Sequence, residues 1–88
     1  MILPLEKKDA KIIADLFMSA FTDGWTENMI LDAFDGGRFN ALGAFDGDAL
    51  VGVITFSYSV DTADIEDIAV DKEFRRKGLG DKLLCEAL

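Results

Sequence analysis

Apolar residues recur along the chain at spacings that switch between the period of a strand and the period of a helix. Ile2, Leu3 and Leu5 surround Pro4 and predict a short first strand, placed at a sheet edge because proline has no amide to give to a ladder. Asp9 stands where a helix cap belongs, and Ile12, Ile13, Leu16, Phe17 and Ala20 follow at the spacing of one helical face. Asp23-Gly24 interrupts that pattern. Thr26 then predicts the cap of a second, short helix with Met29, Ile30, Ala33 and Phe34 inward and Trp25 packed on Ile30. Asp35-Gly36-Gly37 ends it.

The next stretch reads as strands. Residues 38–46 form one, Asp46-Gly47-Asp48 a tight turn, and residues 49–60 a second, longer strand. Asp61-Thr62-Ala63 turns again into a third strand over 64–70, which makes an antiparallel meander. After a loop at 71–77, a helix begins near Gly78 with Leu79, Leu83, Leu84, Ala87 and Leu88 on one face. The order strand, two helices, three strands, helix predicts an α+β fold, with helices covering a mostly antiparallel sheet. Cys85-Glu86-Ala87-Leu88 carries no stop signal, so the expectation is a single partial domain over residues 1–88, truncated in its last helix.

Composition narrows the function. The 88 residues carry 17 acids against nine bases, a net charge of -8. That field repels nucleic acid and anionic lipid, so neither is an expected partner. With one cysteine and no histidine, an internal disulfide is excluded and no metal site is expected. Cys85 also lacks an imidazole to activate it and reads as a small helix residue. Glu6, Lys7 and Lys8 put charge where a signal peptide needs its apolar stretch, and no apolar run nears the ~20 residues of a membrane span, so the expected compartment is the cytoplasm.

Five of the nine bases, Lys72, Arg75, Arg76, Lys77 and Lys82, lie close together. Against Glu73 and Asp81 this segment is +3, on a chain that is otherwise strongly acidic. Such an island suits a small anionic ligand, or it is simply a solvated helix start. Within it, Arg75-Arg76-Lys77-Gly78-Leu79-Gly80 sits between a strand and a helix. A helix start offers unpaired N–H groups and a positive dipole end, and glycines remove the Cβ atoms that would hold a phosphate away. A pyrophosphate is the natural ligand for such a nest. Gly-x-Gly alone is a weak signal, and neither a Walker loop nor a dinucleotide fingerprint is present.

The stretch from Asp67-Ile68-Ala69-Val70-Asp71 through Arg75-Arg76-Lys77-Gly78-Leu79-Gly80-Asp81 resembles the acyl-CoA signature of the GNAT superfamily of N-acetyltransferases. The family's Arg/Gln-x-x-Gly-x-Gly/Ala pattern is matched by Arg75, Gly78 and Gly80. Ile68-Ala69-Val70 followed by an acid is most similar to the ribosomal-protein alanine N-acetyltransferase branch. Leu3-Pro4-Leu5, Asp9-Ala10 and the Ala20-Phe21…Trp25 segment fit the same branch less specifically. The resemblance spans the chain but only the amino-terminal part of the family's domain, whose members run about one and a half times this length.

What the resemblance implies is an acetyl-CoA-dependent transfer of acetyl to an amine or peptide acceptor, with this chain as the cofactor-binding half. The pyrophosphate would lie on the amides of Arg76, Lys77, Gly78, Leu79, Gly80 and Asp81. The pantetheine arm would pair with the backbone at Ile68, Ala69 and Val70, and one such amide would polarise the thioester carbonyl. A general base is also needed. By the period of two, Asp64, Glu66, Ile68 and Val70 share one face, and Asp64 stands where some members place a carboxylate, with Glu66 the neighbouring choice. Each is more readily read as a surface acid on a half-exposed strand, since exposed acids are the default. The general acid has no match, since Tyr58 lies on the preceding strand. The competing readings are an inactive fragment that self-associates as a homo-oligomer across its exposed strand edge, and a phosphate loop for another nucleotide.

Overall fold

The computed structural model describes residues 1–20, 25–37, 39–58, 63–75 and 78–87. Four strands form one antiparallel sheet in chain order: β1 (Ile2–Pro4), β2 (Phe39–Asp46), β3 (Ala49–Tyr58) and β4 (Ala63–Val70). β1 lies at an edge, as Pro4 requires. Two helices, α1 (Ala10–Ala20) and α2 (Glu27–Asp35), cover one face, and α3 (Leu79–Ala87) covers the other. This is the α+β arrangement expected from the sequence. No helix among the described residues is long and apolar enough to cross a membrane.

The helix faces differ from expectation in detail. Asp9 is not the cap of α1: it ends a 3₁₀ turn at Lys7–Asp9, and its carboxylate accepts the Glu6 N–H at 2.8 Å. That turn rotates α1 so that Ala10, Ile13, Ala14 and Phe17 make the buried stripe, with Leu16 beside it, and Ile12 faces solvent at 39% exposure. Thr26 does cap α2, its hydroxyl accepting the Met29 N–H at 3.2 Å. Ile30 is the buried anchor of that helix, and Met29, one position off the stripe, is exposed. Trp25 sits between aromatic neighbours, 6.2 Å from Phe17 and 5.6 Å from Phe39, and packs on the same core as Ile30. The Asp23-Gly24 break, Arg38, residues 59–62 and Leu88 lie outside the described residues.

The β2–β3 turn is Gly47-Asp48, with Gly47 at φ 62°, a conformation glycine adopts without strain. Ala63 belongs to β4 rather than to the preceding turn, pairing with Tyr58. On the α1–α2 side the core joins Ile13, Phe17, Ile30, Ala41, Val53 and Ala69. On the α3 side it joins Ala44, Val51, Ile54, Phe56, Leu83 and Ala87. The close approach of α3 depends on Gly52, where a Cβ would come within 3.1 Å of both Leu79 and Leu83.

Candidate cofactor site

The site grows from the join between β4 and α3. Gly78, the residue before α3, has φ 76°, in the left-handed region that penalises any side chain. The Lys82 N–H closes the first helical turn on the Gly78 carbonyl at 3.1 Å. Helical geometry therefore leaves the amides of Leu79, Gly80 and Asp81 without an acceptor inside the helix. A Cβ built at Gly78 or at Gly80 would meet nothing within 4 Å. Gly80 lies inside the helix, where glycine costs roughly 1 kcal/mol relative to alanine. No packing contact explains its presence. Among the described residues nothing occupies the space its side chain would take. The Leu79 side chain turns the other way, against Gly52. Arg76 and Lys77 lie outside the described residues.

The neighbouring strand supplies the second surface. The Asp71 N–H donates to the Val51 carbonyl at 2.8 Å, so its main chain points into the sheet. Alternation then directs Ala69 toward β3, and turns the N–H and C=O groups of Ile68 and Val70 toward the outer edge of β4. Among the described residues no strand pairs with that edge. Ala69 is a correction to the expected contacts: its backbone faces β3 and its methyl group is buried, so it holds the strand rather than reaching the edge. Arg75 lies close by, its Nε donating to the Val70 carbonyl at 3.0 Å.

The two carboxylates also lie differently from expectation. The register of β3 and β4 shifts between Thr55, opposite Asp67, and Phe56, opposite Ile65, so Glu66 is the extra residue of a β-bulge. The period of two breaks there. Ile65 and Ile68 pack on the α3 side. Asp64, opposite Ser57, and Glu66 lie on the α1–α2 side instead of sharing a face with Ile68 and Val70. Glu66 borders a cleft of about 260 Å³ lined by Trp25, Ala33, Gly36, Phe39 and Ser57. Asp64 and Glu66 are both exposed, and Asp64 does not line the cleft. Trp25 and Phe39 pack on the α1–α2-side core as the sequence predicts, and they also line this cleft with Glu66, a juxtaposition that depends on pairing between distant segments. The bulge itself left a signal, since the apolar positions Ile65, Ile68 and Val70 are spaced by three and then two.

Among the described residues, then, an antiparallel sheet whose β4 edge has no strand partner adjoins a helix that opens on glycine. Residues 10–88 match the Acetyltransferase (GNAT) family. The chain belongs to that family, whose acetyl donor is acetyl-CoA. No curated protein sequence matches it. Among solved structures it is similar to the ribosomal-protein-S18-alanine N-acetyltransferase of Escherichia coli, with a TM-score of 0.87 at 24% identity, covering 98% of this chain and 55% of that one. It is similar also to a ribosomal-protein-alanine N-acetyltransferase of Brucella melitensis, with a TM-score of 0.84 at 23% identity and coverage of 98% and 66%. A third similar structure is a Thermoplasma acidophilum N-acetyltransferase in complex with coenzyme A, with a TM-score of 0.80 at 17% identity and coverage of 99% and 69%. The chain thus spans between about half and two thirds of the first two relatives.

Proposed function

We propose that the protein binds acetyl-CoA across the β4–α3 join and takes part in acetyl transfer to an amine, with a peptide amino terminus as the acceptor class. The observation that carries this reading is that two backbone surfaces follow one another in the chain: the outer edge of β4 at Ile68 and Val70, with which no strand pairs among the described residues although the Arg75 Nε–H takes the Val70 carbonyl, and the α3 amides of Leu79, Gly80 and Asp81. The α3 amides and Gly78 would hold the diphosphate, with Arg76 and Lys77 adding charge. The strand edge would hold the pantetheine arm as an added strand. Both parts are required by magnitude. A helix terminus gives an anion roughly 0.3–2 kcal/mol and a neutral hydrogen bond contributes a net ~0.5–1.5 kcal/mol, whereas micromolar affinity needs about 8 kcal/mol.

Bound acetyl-CoA supplies an acetyl group already activated as a thioester. The chain's own task is to hold the acceptor and remove its proton. Of the two candidate bases, the cleft favours Glu66: it lines the same cleft as Trp25 and Phe39, and a cleft that joins a carboxylate to aromatic residues suits an ammonium group. Asp64 is the second candidate, at the same end of β4. The peptide acceptor is carried over from the two relatives named as acting on ribosomal-protein alanine.

The β4 edge, which no strand pairs among the described residues, also supports self-association, with a second copy adding its own β4 when no ligand is bound. Calorimetric titration with coenzyme A tests the main reading. Gly78→Glu should abolish binding, because it strains a left-handed position and puts a negative side chain into the nest. Affinity unchanged by that substitution would place the phosphates elsewhere and refute the site.

A further inference from the structure

The basic loop is pinned at its start. Asp71 makes three hydrogen bonds: its N–H donates to the Val51 carbonyl at 2.8 Å, its carbonyl accepts the Phe74 N–H at 2.8 Å, and its Oδ1 accepts the Glu73 N–H at 2.9 Å. The half-buried Phe74 ring packs against the α3-side core. These contacts turn the chain back on itself over residues 71–74, so that the Arg75 side chain returns to the strand it has just left. There its Nε donates to the Val70 carbonyl at 3.0 Å, on the outer edge of β4.

We infer that Arg75 is a positioning residue: its Nε–H staples the loop to the last outward carbonyl of β4 and thereby fixes where the chain leaves the strand edge on its way to α3. The inference rests on the cofactor reading above and changes the part Arg75 plays in it, from a charge offered to the diphosphate to a brace for the backbone that binds it. The two surfaces lie on separate elements joined by a loop. A ligand that spans both gains from them together only if their separation is set before it arrives; otherwise binding must order the loop. The staple also occupies the Val70 carbonyl, so a strand-like ligand would pair chiefly with Ile68 and with the Val70 N–H.

Side-chain chemistry separates a brace from a charge. In arginine the Nε–H hangs on Cδ, and in glutamine the amide nitrogen hangs on the same atom, so Arg75→Gln keeps a donor in place and loses the charge. Arg75→Lys keeps the charge and moves the only donors one carbon further out. Two measurements on the wild type and both variants decide the matter: coenzyme A affinity by calorimetry, and hydrogen exchange of the Phe74 amide in the ligand-free protein. The expected result is that Arg75→Gln retains affinity and Phe74 protection, while Arg75→Lys loses about tenfold in affinity, the scale of one charge-assisted hydrogen bond, and exchanges Phe74 faster. Affinity retained by Arg75→Lys and lost by Arg75→Gln makes the residue a charge contact and overturns the inference. Should the wild type fail to bind coenzyme A, the cofactor reading falls, and the exchange data still judge the staple: Phe74 as protected in Arg75→Lys as in wild type refutes it.

Discussion

Gly78 and Gly80 sit two residues apart and answer to different constraints. Gly78 is held at φ 76°, so its replacement strains the backbone whatever space surrounds it. Gly80 lies within α3 and a Cβ there would meet open space. Gly80→Ala should therefore stabilise the fold by about 0.5–1 kcal/mol in a denaturant titration, since alanine is the better helix former. The same substitution should weaken coenzyme A binding by setting a methyl group over the amides. A variant that gains stability and keeps full affinity would show that the open space above Gly80 is not a binding surface. At the carboxylates, Glu66→Gln should lower acetyl transfer about 100-fold or more while leaving coenzyme A affinity unchanged, as expected for loss of a general base. Asp64→Asn should change little. The reverse pattern, read in a steady-state thiol-release assay with an alanine-ended peptide, would exchange their roles.

Among the elements, α3 is the one on which the site depends, and Leu83 anchors it in the core against β3. Leu83→Ala should cost about 2–5 kcal/mol, a large part of the 5–15 kcal/mol typical of a small domain. A denaturation midpoint near that of wild type would mean that α3 contributes little to the fold. The elements were legible in the sequence wherever one local rule decided them. Thr26 marked the start of α2, Gly47 marked the β2–β3 turn, and the leucine spacing marked α3. The helix faces were less so. Ile12 and Met29 satisfy an apolar pattern, yet which side of a helix is buried depends on how the preceding turn aims it. Gly78 marked the point where α3 begins, but at β4 alternation alone misassigned the acids, because a single bulged residue inverts every face beyond it. The aromatic cleft beside Glu66 was not legible, since it joins Trp25, Phe39 and Glu66 from three separate segments.

At the scale of the molecule, one feature serves two proposals that exclude each other. The outer edge of β4 is offered both to the pantetheine arm and to a second copy, and it accommodates one strand-like partner at a time. Sedimentation velocity should show concentration-dependent association of the ligand-free protein and its reversal by saturating coenzyme A. A monomer at all concentrations removes the self-association proposal. A dimer indifferent to coenzyme A places one of the two partners away from the edge. The net charge of -8, with a cationic segment beside α3, also favours acceptors that are themselves positive. The most direct test of the account follows the backbone amides of isotopically labelled protein as coenzyme A is titrated in. The account predicts the largest shifts at Gly78, Leu79, Gly80 and Asp81 and along β4 at Ile68 and Val70, with the amides of α1 undisturbed. Shifts confined to other segments, or none at all, would contradict it.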